Sequence, residues 1–258
     1  MAPGGGLSDP VGAFRDHFSG HAAAYASARP GYPQALVDWL AAQSPARTLA
    51  WDAGCGNGQA SVALAAHFDA VFATDPSAAQ VASATPHPRV RYAVEPAEQC
   101  SLAEASADLV TVAQAYHWFR HAAFCQEARR VLRPGGLIAL WSYARSTVTP
   151  GVDALFDALH DDILAQDWPA GREHVLDRYR QLPFPFARVD APDFEMVERW
   201  TLPQYLAYLR SWSASQRQWR RTGIDPVAAV ENEMRRAWGE YGTRREVEWP
   251  LHLLVGRR

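Results

Sequence analysis

Through residue 142, short apolar runs alternate with segments whose apolar positions recur at the helical period. Residues 49–53 (LAWDA) read as a strand, and residues 59–68 (QASVALAAHF), apolar at Val62, Ala63 and Ala66, read as a helix. Further strands are predicted at 70–74, ending against Asp75, at 90–94 and at 108–113. A helix over 121–132 then leads through Arg133-Pro134-Gly135-Gly136 into a fifth apolar strand at 137–140. Strands and helices in strict alternation predict a parallel, doubly wound α/β sheet.

Beyond residue 142 the pattern changes. An amphipathic helix is predicted over 152–166, and residues 194–200 alternate apolar and charged positions as a half-exposed strand does. A helical stretch over 203–221 carries Leu206, Leu209, Trp212 and Trp219 near one face, and a further helix over 226–241 ends in the turn 239–242. The chain closes with an apolar strand over 247–256, interrupted by Pro250. These last two strands are expected to be the sixth and seventh of the sheet, the seventh antiparallel. The helices between them are expected to form a cap over the carboxyl ends of the strands, with substrate bound in the crevice.

The junction between the first strand and the first helix carries the chemistry. Gly54, Gly56 and Gly58 stand at alternate positions, where the backbone can turn at positive φ with no Cβ between it and a ligand. Asp75 follows the first glycine by roughly 20 residues, the separation at which open α/β folds place a carboxylate on the ribose hydroxyls of a nucleoside. Taken alone, Asp75 before Pro76 also suits a helix cap. Together the loop and the acid describe a nucleoside-binding half-fold.

The spacing GxGxG, with Asp52 two residues before it, differs from the GxGxxG of dinucleotide enzymes and resembles motif I of the class I S-adenosylmethionine-dependent methyltransferases. The resemblance continues through Glu95-Pro96-Ala97-Glu98-Gln99, where that family places a loop against adenine, although Pro96 departs from the polar residue usual there. It extends through Gln114-Ala115-Tyr116-His117-Trp118-Phe119 after strand four and through the LRPGG turn. At the N-terminal side, Tyr25-Ala26-Ser27-Ala28-Arg29-Pro30-Gly31-Tyr32-Pro33, with Leu209-Arg210-Ser211-Trp212-Ser213-Ala214 far downstream, is similar to the trans-aconitate-type subgroup of small-molecule carboxyl methyltransferases.

The resemblance implies a Rossmann-like seven-stranded methyltransferase sheet with a helical cap, and S-adenosylmethionine as cofactor. It implies cofactor binding by Tyr25, Arg29, Asp52, Gly54, Cys55, Gly56, Gly58, Asp75, Pro76, Ala97, Glu98, Gln114 and Ala115. Asp75 would take both ribose hydroxyls and Arg29 the cofactor's carboxylate. His117 and Trp118 lie after strand four, where the donor methyl meets its acceptor; they are substrate-side candidates, and His117 is the candidate general base. Arg210, Arg217, Arg220 and Arg221 recur at helical spacing; that pattern suits a solvated face or, with Trp212, an anionic substrate. The expected reaction is methyl transfer to an oxygen of a small molecule, a carboxylate in preference to a hydroxyl. Competing readings are a nicotinamide-dependent oxidoreductase, which would lack the usual glycine spacing, and a non-catalytic cofactor-binding protein.

Composition narrows this further. The 258 residues, 48% of them apolar, suffice for one large unit: residues 1–147 as N-terminal lead and cofactor core, 148–258 as cap plus the last strands. A net charge of −3 offers no general attraction to nucleic acid or to an anionic membrane. Cys55, Cys100 and Cys125 form no CxxC pair, so neither a disulfide framework nor a metal site is expected. With no membrane-length apolar run, a cytoplasmic protein is expected. Residues 1–8 read as a tail without a role.

Overall fold

The structure, a computed structural model, describes residues 29–258. Helix α1 (Gln34–Gln43) precedes β1 (Leu49–Ala53), α2 (Gln59–Leu64), β2 (Ala70–Asp75), α3 (Ala78–Ala82), β3 (Val90–Val94) and β4 (Ala107–Ala113). A 3-10 turn (Tyr116–Trp118), α4 (His121–Val131) and β5 (Leu132–Ser142) follow. The sheet order is β3-β2-β1-β4-β5, all parallel, so the chain reverses its direction of growth between β1 and β4. In open α/β sheets ligands bind at such a switch point, outside the carboxyl ends of the strands.

Strands β1, β2, β4 and β5 are buried on both faces while the edge strand β3 is partly exposed, and the period of two divides the core. Ala50, Val71, Leu109, Ala139 and Trp141 point to one face, against α1 and α2; Trp51, Phe72, Val110, Ile138 and Leu140 point to the other, against α4. Burial of Asp108 is made possible by its partners: it accepts from the amides of Thr48 and Leu49 at 2.8 and 3.0 Å and from Arg133 at 2.6 Å. That contact ties the LRPGG turn to the root of β4.

After β5 come α5 (Pro150–Asp157), a π-helical turn (Ala158–Ile163), α6 (Arg172–Leu176), β6 (Ala187–Val189), β7 (Phe194–Thr201), α7 (Leu202–Arg210), α8 (Ser213–Thr222), α9 (Ala228–Trp238) and β8 (Arg244–Arg257). The antiparallel last strand is as expected, but the sixth strand of the chain is Ala187–Val189, which lies at the sheet edge beyond β8. That short strand and β5 flank the C-terminal part of β8, whereas β7 pairs with its first part, Phe194 opposite Leu251 through Thr201 opposite Arg244. Strand β8 also runs straight through Pro250. The proline lies opposite Glu195, and pairing with β5 spans only His252 to Arg257, so its missing amide breaks no ladder bond on that side.

Two helices also differ from the sequence pattern. The stretch 203–221 breaks at Ser211 and Trp212 into α7 and α8, because Ser211 and Ser215 turn their hydroxyls onto the carbonyls of Tyr208 and Leu209 at 2.6 and 2.8 Å. The helix predicted over 152–166 widens into a π-turn at Ala158. The cap helices pack by aromatic contact, with Trp238 on Tyr205 and Trp212 on Phe156 at centroid distances of 5.4 and 5.0 Å.

Candidate active site

The loop after β1 is held by its backbone. The amides of Gly54 and Cys55 both donate to Thr74 O, at 2.8 and 2.9 Å, and the amide of Gly56 donates to Asp75 Oδ2 at 2.9 Å. All three glycines have positive φ, at 70°, 53° and 85°. A Cβ on Gly54 would lie 2.7 Å from Ala115 Cβ, and one on Gly58 would collide with the Tyr92 ring. At Gly56 it would meet only Gln80 Oε1 at 3.9 Å, so this residue presents bare backbone to the open side of the loop.

Asp75 joins the glycine loop to the turn after β2, while the cap of α3 is Ser77, whose hydroxyl accepts from the amide of Gln80. Asp75 Oδ1 accepts from the amide of Ser77 at 2.9 Å, which shapes the turn through Pro76 into α3, while Oδ2 holds Gly56. A carboxylate has about four lone-pair sites and can accept from several donors at once. Beside it, the buried Gln80 Oε1 has no hydrogen-bond partner among the described residues. A cradle of bare glycine backbone, a carboxylate and an orphaned acceptor fits a ligand rich in hydroxyl and ammonium donors, as S-adenosylmethionine is.

Other sequence candidates are placed differently. Asp52 is fully buried, accepts from Ser61 and Thr111 hydroxyls at 2.6 and 3.0 Å, and is pushed up to about 6 by burial. It braces the loop from below and reaches no ligand surface. The neighbouring Cys55 is buried, and burial raises its thiol well above the ordinary range. Glu98 accepts from the amide of Arg120 at 2.7 Å and so caps the start of α4, while Ala97 is buried beside it. Tyr25 lies outside the described residues.

A second hollow, a cavity of about 80 Å³, lies between the segment after β4, the segment after β5 and the cap. Arg29, Gln114, His117, Trp118, Tyr143, Trp168, Arg172, Tyr208 and Trp212 are among its lining residues. Gln114 sits at φ 56°, with its side-chain amide donating to Tyr143 O at 2.7 Å, and this strained turn aims the following residues at the cavity. Arg29 donates to Tyr143 Oη at 3.3 Å and lies 5.5 Å over the Tyr208 ring, so it belongs to this cavity's wall. His117, Trp118 and Trp212 gather there as the sequence suggests. Arg210 does not: it is spent on Asp225 and Glu231, at 2.7 and 2.5 Å. Arg217, Arg220 and Arg221 line an outer groove with Pro169 and Ser213, where Arg221 is paired with Asp167 at 2.7 Å.

Arg172 is the residue that sequence reasoning missed. It opens α6 behind Gly171, whose positive φ of 91° and lack of a Cβ let the turn approach His117 O; a Cβ would stand 3.0 Å from that oxygen. Its guanidinium lies 4.6 Å over the Trp168 ring, and its buried Nε has no partner among the described residues. Burial, with Arg29 adding like charge, lowers it to about 10, so it remains a cation. None of the described residues lining the cavity is an Asp or Glu.

His117 shares this setting. Its Nδ1 is 3.1 Å from Tyr179 Oη, and burial, with the charge of Arg172 next, lowers its pKa to about 3. At neutral pH the ring is uncharged, and its conjugate acid is too strong for a useful proton acceptor. Among the described residues no His, Cys, Asp and Glu cluster could hold a metal ion, and no helix is long and apolar enough to cross a membrane.

Known proteins share both sequence and architecture with this chain. Residues 51–140 match the methyltransferase domain family. A Dictyostelium discoideum protein named as a methyltransferase is 28% identical over 252 residues, 95% of this chain and 96% of its own. An uncharacterized methyltransferase of Mycobacterium bovis is 32% identical over 190 residues, 73% of each chain. Among solved structures, a type II methyltransferase from Anaeromyxobacter dehalogenans is 48% identical, covers 89% of this chain and 97% of its own, and superposes with a TM-score of 0.83. The chain therefore belongs to the class I S-adenosylmethionine-dependent methyltransferases.

Proposed function

We propose that this protein transfers a methyl group from S-adenosylmethionine to an oxygen of a small anionic acceptor, a carboxylate in preference to a hydroxyl. The observation that carries this reading is Arg172, a half-buried cation in an aromatic cavity with no acidic residue among the described residues that line it. A cation partly withdrawn from water with only neutral hydrogen-bond partners is costly, and an acceptor carboxylate offsets that cost on binding. The small-molecule carboxyl methyltransferases that the YASARPGYP and LRSWSA segments resemble agree with it.

Gly56, Asp75 and Gln80 would hold the cofactor, with Pro76 and Ala115 walling the cleft. When bound, S-adenosylmethionine supplies an electrophilic methyl group on a sulfonium. The chain's own part is alignment and exclusion of water. Arg172 and Arg29 attract and orient the carboxylate, Trp118, Trp168 and Trp212 shield it, and neutral His117 offers a hydrogen bond without taking a proton. Because methylation removes the acceptor's charge, the ester product loses its attraction to Arg172 and leaves. A hydroxyl acceptor would need a base, and His117 is poorly suited to that role.

The direct test is calorimetric titration with S-adenosylhomocysteine and, separately, with NAD. The homocysteine compound should bind and NAD should not. Asp75→Asn keeps an acceptor oxygen for the backbone but removes the charge, and should cost roughly 1.5–3 kcal/mol of that affinity. Undiminished affinity in a folded Asp75→Asn protein would limit Asp75 to shaping the turn, and binding of NAD alone would overturn the cofactor assignment.

A further inference from the structure

Arg172 is held by an imidazole and a carbonyl where a carboxylate would be usual. Its Nη2 lies 3.2 Å from His160 Nε2 and 3.3 Å from Ala144 O. A guanidinium can only donate, so His160 Nε2 must accept and the ring proton must sit on Nδ1. That nitrogen lies 2.7 Å from Asp161 Oδ1. Arg145 in turn forks onto both oxygens of Asp161, at 2.9 and 2.8 Å, and also contacts Asp157. A polar row thus runs from Arg145 at the surface through Asp161 and His160 to Arg172 at the cavity. Among the described residues Arg172 has no ion pair, and the carboxylate of Asp161 stands one imidazole away, engaged by a different arginine.

The backbone makes this arrangement possible. His160 and Asp161 are consecutive within the π-turn Ala158–Ile163, a widened geometry that recurs at functional sites. His160 is 2% exposed and fixed on several sides: it stacks on Phe156 at 5.9 Å, and Trp168 and Trp212 lie 4.5 and 5.8 Å away. Trp168, which carries the guanidinium on its ring, donates from Nε1 to His160 O at 2.9 Å. The charged groups facing the imidazole are Asp161, Arg172 and Arg145. Burial, with the two arginines acting in the same sense against Asp161, lowers its pKa, so it is neutral at neutral pH.

We propose that His160, oriented by Asp161, is a positioning residue that aims Arg172 at the acceptor's anionic group while leaving the guanidinium charge uncompensated. This rests on the reading of the cavity as an anionic-acceptor site. A carboxylate in the place of His160 would pair with Arg172 and compete with the acceptor. An apolar residue there would leave Nη2 held by Ala144 O alone, with its second direction unfixed. A neutral acceptor of hydrogen bonds supplies direction without charge.

Two measurements on the full chain test it. Nitrogen-15 NMR of the imidazoles should show His160 protonated at Nδ1 with an unprotonated, hydrogen-bonded Nε2; the opposite tautomer overturns the proposal without any variant. With S-adenosylhomocysteine bound, butyrate is then titrated as the probe, followed by tryptophan fluorescence. His160→Leu should weaken butyrate binding by about tenfold, whereas His160→Gln, whose Oε1 can still accept from Arg172, should stay within about threefold of wild type. Affinity for S-adenosylhomocysteine should be unchanged in both. Equal losses in both variants, or none in either, overturn the positioning role. Arg172→Gln separates the two levels: if it weakens butyrate binding while His160→Leu does not, only the role of His160 fails. If Arg172→Gln binds as wild type, or wild type binds no butyrate, the anionic-acceptor reading fails and the role of His160 with it.

Discussion

His117 illustrates how surroundings decide what a side chain can do. An exposed histidine titrates at about 6.5, in the range a general base needs. Enclosed by Tyr179, Trp118 and the charge of Arg172, this one is lowered to about 3. Between those values the unfolded chain binds the proton more tightly than the native one. His117 therefore removes stability as pH falls from the unfolded value toward 3, and removes none above it. His117→Gln should reduce the stability lost between neutral pH and about pH 4.5 by about 2 kcal/mol, measured by urea denaturation. The rate with a carboxylate acceptor should survive the same change within about tenfold and show no titration near neutral pH. Identical acid sensitivity in both proteins would mean that His117 is solvated. The sequence made this histidine visible through its place after strand four. Its altered acidity was not visible, because Tyr179 and Arg172 come from the cap, more than fifty residues away.

The glycine loop was the most legible element, since its residues are local and its demands are steric. Gly54, Gly56 and Gly58 all adopt left-handed backbone conformations, as their alternation predicts. Their surroundings differ, and from that a contrast follows. Gly54→Ala forces a Cβ to within 2.7 Å of Ala115 Cβ in addition to the strained φ. It should cost about 2 kcal/mol or more of stability. Gly56→Ala meets open space, so its cost in stability should be nearer 1 kcal/mol, and its main effect should be weaker binding of S-adenosylhomocysteine. Thermal melts with and without that ligand check both; equal ligand-induced shifts in wild type and Gly56→Ala would show that the open face of the loop holds nothing. The cap was less legible. Helical spacing placed Arg210 with Arg217, Arg220 and Arg221, but spacing cannot reveal a partner, and Asp225 with Glu231 reach Arg210 only in the folded chain. The short β6 escaped detection because three residues carry no periodicity.

On the scale of the whole molecule, the β1/β4 switch point places the cofactor cradle beside a cavity completed by the cap. The parallel half was readable because β1, β2, β4 and β5 are short, largely apolar runs buried on both faces. The acceptor cavity was not, since Arg29, Tyr143, Arg172 and Tyr208 reach it from widely separated segments with no shared motif. The proposed anionic acceptor rests on two cations and on the lack of Asp or Glu among the described residues lining the cavity. The most direct measurement is mass-spectrometric detection of methyl transfer from methyl-deuterated S-adenosylmethionine across a panel of small carboxylic acids and their alcohol analogues. The expected result is a deuterated methyl ester that is cleaved by mild base, formed in step with S-adenosylhomocysteine and suppressed by Arg172→Gln. A base-stable ether as the product, or an ester yield that Arg172→Gln leaves unchanged, would contradict it.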